Sequence, residues 1–202
     1  MIVFTPIDLP LIEPDDWDKF WDIWNNHCGY LQKVRMNSST SATPVGNSQT
    51  WKGLGIYKKL GFSSTWSSPF FDIKSVFPKM YNIIDSVSTN VQYVRIVESQ
   101  IPLQSHSDDN RNFWNIRAFL HRKDAYKQWY FTKPNEPSGK RTYINMPDDT
   151  NWFMYNDLNC WHGTDFDPEN KKLLLQLFCT GNPSTDYLIP SVTKYKNYTI
   201  EF

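Results

Sequence analysis

Apolar residues follow two different spacings along this chain. Before about residue 90 they recur every three or four positions. Asp15 and Asp16 can cap a helix that carries Trp17, Phe20, Trp21 and Trp24 on one stripe. A second helix is predicted over Ile73–Val87, where Val76, Phe77, Met80, Ile83, Ile84 and Val87 share a face. Pro78 fits only in its first turn, where a missing N–H breaks no helical bond. From Val91 the texture changes to short runs rich in β-branched and aromatic residues. These are Val91–Val97, Phe113–Leu120, Lys127–Thr132, Arg141–Met146, Trp152–Tyr155 and Lys172–Cys179, separated by Asp, Asn, Pro or Gly. Six or more strands at such spacing predict a sandwich or barrel, with the helices against one outer face. The expected layout is one mainly β (α+β) domain over 1–202: a helical part over about 1–90, a β core over about 91–180, and a tail over 181–202.

Composition narrows the partners. Lys plus Arg number 21 and Asp plus Glu also number 21, so the formal charge is zero. Phosphate neutralisation needs a basic excess, which makes nucleic acid an unlikely main partner and removes the attraction to a membrane surface. Aromatics make up 16% of the 202 residues and charged residues 21%, the reverse of a disordered chain. No apolar run approaches the roughly 20 residues of a membrane-spanning helix. The start, Met1–Pro6, lacks a basic leader region and does not read as a signal peptide. Three cysteines without CxxC spacing suit a reducing cytoplasm better than a disulfide framework. The stretch 37–50, rich in Ser, Thr, Asn and Gly, reads as a loop and a candidate substrate lid.

Four histidines are available: His27, His106, His121 and His162. His106 and Asp108 form a His-x-Asp pair just after a strand, and alternation places positions i and i+2 on one face. His162, before Gly163 in an expected glycine turn, can supply a third ligand from a neighbouring strand. Two imidazoles and a carboxylate on one side of a metal leave the other positions open. That set suits a non-haem ferrous ion, whose free sites take oxygen and a co-substrate. Alone, each residue also reads blandly: Asp108 as a turn carboxylate, His162 as a hydrogen-bonded loop histidine, Lys171 and Lys172 as a solvated strand start.

The combination His106-x-Asp108, then His162, then Lys172 ten positions later resembles the Fe(II)- and 2-oxoglutarate-dependent dioxygenases. The resemblance runs from about Val91 to Thr180 and is nearest in texture to the prolyl hydroxylases and the aspartyl/asparaginyl β-hydroxylases. It implies a double-stranded β-helix, a cupin-like jelly roll of eight strands, with helices supporting its larger sheet. It implies iron bound by His106, Asp108 and His162. A basic residue nine to eleven places after the second histidine would hold the distal carboxylate of 2-oxoglutarate. Lys172 has the ten-residue spacing and Lys171 is its rival, since neighbours on a strand face opposite ways. Arg117 matches a position where an arginine often helps bind a carboxylate. The family anchor is frequently Arg, and here it is a Lys, a point charge instead of a fork.

The implied activity is hydroxylation of an amino-acid side chain, free or in a peptide, with molecular oxygen consumed and succinate and CO2 released. Small enzymes of this kind occur in bacteria and bacteriophages, so a phage-encoded protein acting in a host cytoplasm fits. Two other classes stand beside it: a non-catalytic jelly-roll module that binds carbohydrate through its Trp and Tyr, and a viral structural jelly roll. Among the remaining candidates, His27 reads as a helix C-terminal residue, His121 as solvated and Cys160 as structural. Tyr93, Trp114, Trp129 and Tyr143 read as core packing or as lining for the mouth of the β core.

Overall fold

The computed structural model describes residues 1–30, 51–59, 69–87, 91–99, 103–106, 115–120, 125–156, 160–165, 172–179 and 184–202. Two antiparallel sheets dominate it, with three α-helices among the described residues. The larger sheet runs in the order β12 (Ile200–Glu201), β1 (Ile2–Pro6), β9 (Trp152–Tyr155), β6 (Asn115–Phe119), β11 (Lys172–Cys179), β4 (Val91–Ser99), β3 (Trp51–Lys58), β2 (Gly29–Tyr30). The smaller sheet runs β5 (Leu103–His106), β10 (Trp161–Thr164), β7 (Trp129–Thr132), β8 (Thr142–Tyr143). The mainly β expectation holds. The strands from β4 to β11 pair in nested fashion: β4 with β11, β5 with β10, β6 with β9 and β7 with β8. Each successive pair lies in the other sheet.

Side-chain alternation makes two cores from one large sheet. On β11, Leu173, Leu175 and Leu177 point to one side and pack with Ile96, Ile116, Ala118, Trp152 and Met154. Onto that side lie the apolar faces of α1 (Trp17–His27) and α2 (Pro78–Val87), through Phe20, Trp24, Met80 and Ile84, with Phe77 just before α2. Leu174 points the other way, with Val97, Phe119, Phe153 and Tyr155, and meets Trp129 and Phe131 of the smaller sheet. A strand buried on both faces needs a nearly continuous apolar run, and Leu173–Leu177 supplies one broken only by Gln176.

The two expected helices form, with adjusted caps. Asp16 is the N-cap of α1 and its carboxylate accepts from the Lys19 N–H at 3.0 Å. Asp15 serves the other helix: its oxygens accept from Lys79 and Met80 N–H at the start of α2. That helix begins at Pro78 instead of Ile73, the place where proline's fixed φ helps and its missing N–H costs nothing.

The parts of the chain outside the expected β core also contribute strands. β1 lies between β12 and β9, and β3 pairs with β4 over most of its length. The tail holds α3 (Ser184–Lys194) and β12. Pro190 inside α3 and Pro6 at the end of β1 weaken the local signal for both elements. Pairing with β9 and β12 holds β1, ion pairs from Lys194 to Asp8 and Asp149 tie down α3, and further long-range contacts hold residues 7–12. Asn151 receives the Ile12 N–H and donates to the carbonyls of Ile12 and Phe119. Thr150 donates to Ile7 O, and the Trp152 indole donates to Pro10 O. Gly55 in β3 is needed for close approach, because a Cβ there would collide with the Tyr93 hydroxyl. The loop 37–50 lies outside the described residues. No helix among those described is long and apolar enough to cross a membrane.

Candidate functional site

Antiparallel pairing brings the two proposed histidine ligands together. His106 ends β5 and His162 lies in β10, and the two are direct Cα partners. Residues opposite each other on neighbouring strands carry their side chains on the same face. The imidazole centroids stand 4.4 Å apart, with His106 6% and His162 1% exposed. Both face the larger sheet. The His162 ring stacks on Trp129 at 5.8 Å and 11°, and contacts Phe131 and Tyr155 at 6.2 and 4.9 Å.

Gly163 does not form the expected turn. It sits inside β10, opposite Tyr130. From the strands on either side of β10, Ser105 of β5 and Thr132 of β7 bring their hydroxyls to 3.3 Å. Cys160 precedes β10 and is buried, its thiol donating to Asn156 O.

Arg117 reaches the histidine pair through shared rings. Its guanidinium lies 4.9 Å from the Tyr155 ring and 5.6 Å from the Trp129 ring, the same two rings that hold His162. Arg117 is half-buried on the face of β6 that carries Phe119, between the sheets. The structure therefore brings together His106, His162 and Arg117. Asp108 and Lys171 lie outside the described residues, as do His121 and Trp114. Lys172 opens β11 as the Cα partner of Ser99, and its side chain lies outside the described residues. Among the described residues no group of three or more His, Cys, Asp or Glu converges to hold a metal. Of the aromatic candidates, Trp129 and Tyr93 are buried, and Tyr143 is exposed on the outer face.

Two polar residues of this interior escaped sequence reasoning. Arg95 on β4 is 5% exposed, and its Nε donates to Gln176 Oε1 on β11 at 2.8 Å. Its guanidinium lies 5.0 Å from the Phe178 ring. The available signal was Gln176 itself, a single amide within a run buried on both faces. Such a group must find a partner on a neighbouring strand.

The donor chemistry of the histidine pair fits a metal. Two imidazoles bound at right angles to one ion, each with a metal–nitrogen bond of about 2.1 Å, hold their ring centres about 4.5 Å apart. The observed 4.4 Å matches that spacing. No family model matches the chain, and no curated protein does.

Proposed function

We propose that the protein is an Fe(II)- and 2-oxoglutarate-dependent dioxygenase that hydroxylates an amino-acid side chain, free or peptidyl, in the cytoplasm. The observation that carries this reading is the buried pair of histidines, side by side on adjacent strands and facing the larger sheet. The nested pairing supports a jelly-roll reading. Strands β4 to β11 behave as one long antiparallel ribbon, rolled so that β11 also meets β6 and β10 also meets β7. That arrangement is how a chain makes a double-stranded β-helix of eight strands.

In this reading His106, His162 and Asp108 bind the metal on one side and leave the other side to ligands. When bound, ferrous iron supplies the oxidative chemistry: O2 and 2-oxoglutarate are consumed, succinate and CO2 leave, and one oxygen atom enters the substrate as hydroxyl. The chain's own work is placement. Lys172, with Lys171 as its rival, supplies the cation for the distal carboxylate of 2-oxoglutarate, and Arg117 supplies a second cation. Trp129, Phe131 and Tyr155 fix the plane of the His162 ring and exclude water from that side of the site.

The test is an anaerobic titration with Fe(II) and 2-oxoglutarate, watched for a weak visible charge-transfer band. Oxygen is then admitted and succinate measured. The expected result is a band and slow uncoupled succinate release, both lost in Asp108→Ala. Absence of band and succinate in the wild type rejects the reading.

A further inference from the structure

A cavity of about 280 Å³ opens between the end of β3 and α2. It lies on the helix-covered side of the larger sheet, where Ile56, Tyr57 and Tyr81 pack with the core. The histidine pair faces the other side of that sheet. A bulge builds one wall. The register of β3 against β4 shifts between Gly55 and Tyr57, and the neighbours Ile56 and Tyr57 both join the helix-side core. A regular strand would send one of them to the opposite face. Another wall comes from residues 70–74. Backbone bonds from Gly55 N–H to Pro69 O and from Phe71 N–H to Gly55 O fix the start of that segment beside β3.

Two kinds of group meet at the opening. The first is cationic. Lys58, Lys59 and Lys74 line the cavity, are exposed, and form no ion pair among the described residues. One lining carboxylate, Asp72, stands with them, and its Oδ1 accepts from the Lys74 N–H at 3.0 Å. Asp85 lies beside the wall and accepts from the Tyr57 hydroxyl at 3.4 Å. The second kind is aromatic. Phe70 is 49% exposed at the cavity. The Tyr81 ring carries the Lys74 ammonium, 5.3 Å from its centroid.

Three lining ammoniums against one lining carboxylate leave two positive charges to be matched. A phosphate monoester carries about −1.5 to −2 at neutral pH and matches them, whereas a single carboxylate supplies half. Lysine binds phosphate as a point charge and needs no fork geometry. The open phenyl face beside the cations offers a stacking surface for a planar ring. The volume is at the low end for small-molecule sites, which run from about 300 to 1,000 Å³. A nucleoside monophosphate joins a phosphate monoester to a planar base in a molecule of that class. A polynucleotide fits less well, since a strand needs a basic groove along several nucleotides and the chain has no net charge.

We propose that this cavity binds a nucleoside monophosphate, with Lys58, Lys59 and Lys74 holding the phosphate and Phe70 stacking on the base. The larger sheet stands between the cavity and the histidines, so this ligand is distinct from any substrate of that pair. The assignment is independent of the dioxygenase reading.

The test is a calorimetric titration of the full-length protein with adenosine 5′-monophosphate at low salt. One saturable site is expected. The double variant Lys58→Gln, Lys59→Gln should weaken it about tenfold to a hundredfold, as loss of charge-assisted contacts requires. Phe70→Ala should weaken it about fivefold to a hundredfold and leave ribose 5-phosphate binding unchanged. The control Lys133→Gln, Lys140→Gln removes the same charge from exposed positions outside the cavity and should change nothing. Hydrogen exchange gives a reading on the wild type alone: the nucleotide should protect amides within 56–59 and 70–74. No saturable binding by the wild type overturns the proposal. So does unchanged affinity in the Lys58, Lys59 variant, protection confined to other segments, or adenosine binding as tightly as its monophosphate. Inorganic phosphate binding as tightly as the nucleotide, or an oligothymidylate binding more tightly, overturns the assignment to a mononucleotide.

Discussion

The two faces of the larger sheet differ in kind. The face under α1 and α2 is packed with Leu, Ile, Val, Met, Phe and Trp, with Glu98 buried on the same side near the end of β4. The face toward the smaller sheet mixes Phe, Tyr and Trp with Arg95, Gln176 and Arg117, and meets two buried histidines. Both faces come from the same strands, so adjacent residues such as Leu175 and Gln176 belong to different chemical environments. Apolar packing supplies stability roughly in proportion to area. Buried cations and amides oppose it unless paired. The helix-covered face therefore stabilises the fold enough to support a polar interior on the other side.

The largest effect should follow from opening the helix-covered face. Trp152 is fully buried there and its indole holds Pro10 O. Trp152→Ala should cost about 3–5 kcal/mol, the range for a large core side chain. Urea denaturation is the measurement. A loss below about 1 kcal/mol would mean that the helix-covered face does not dominate stability.

His162→Ala tests the other face. Outer-shell partners of a metal ligand alone are worth up to about 100-fold in affinity, so removal of the ligand should cost more than that. Fe(II) binding, followed anaerobically by competition with a chromophoric chelator, should fall accordingly. Stability should fall by only about 1–2 kcal/mol, less than in Trp152→Ala. If both variants lose stability equally and Fe(II) binding does not change, the division of labour between the faces fails.

How far this division could be read from the sequence depended on the range of each signal. Trp152–Tyr155 and Lys172–Cys179 are dense local runs and fold as strands with those bounds. The stripe in α1 and the position of Pro78 are also local, and both elements form. β1 carries only the short run Ile2–Thr5, cut off by Pro6, and β12 carries no comparable pattern. They are strands because backbones far away in sequence pair with them, and Pro6 masks the first. In the site, His106 and His162 were legible by type and spacing. Their register partnership was not, because pairing of β5 with β10 is a tertiary fact. Gly163 misled, since glycine marks turns more often than the interior of a strand, where it sits opposite Tyr130. Arg95 looked like an ordinary charged residue on an alternating strand. Only the second sheet over it makes that position an interior one.

A smaller effect should come from the clamp that joins the N-terminal segment to the sheet. Asn151→Ala removes one acceptor and two donors from buried backbone groups of Ile12 and Phe119. The expected cost is about 1–3 kcal/mol, the desolvation of groups left without partners. Hydrogen exchange should show it as faster exchange of the Ile12 amide. Unchanged exchange there would mean that the segment is held by its apolar contacts alone. Fe(II) binding should not move, because Asn151 contacts the strand ends and not the histidine pair.

The smallest effect belongs to charges outside both layers. Lys194 at the end of α3 reaches Asp8 at 2.6 Å and Asp149 at 3.0 Å. The Lys194 ammonium holds the Asp149 carboxyl below its ordinary value, while the hydrogen bond to Asp8, with those to Tyr195 and Asp149, holds Lys194 above its own. A lowered carboxylate contributes stability above its unfolded pKa and loses it as pH falls through the folded value. A raised lysine contributes below its unfolded pKa and loses it as pH rises through the folded value. Both contributions are thus complete from about pH 5 to pH 9, between the ordinary values of the two groups. Solvent screens these exposed groups, so Lys194→Ala should lower Tm by only about 1–2 °C in that window. The difference should shrink below about pH 4 and in high salt, as scanning fluorimetry can follow. A loss as large as that of Trp152→Ala would show that α3 and its charges, and not the helix-covered face, limit the stability of the whole sheet.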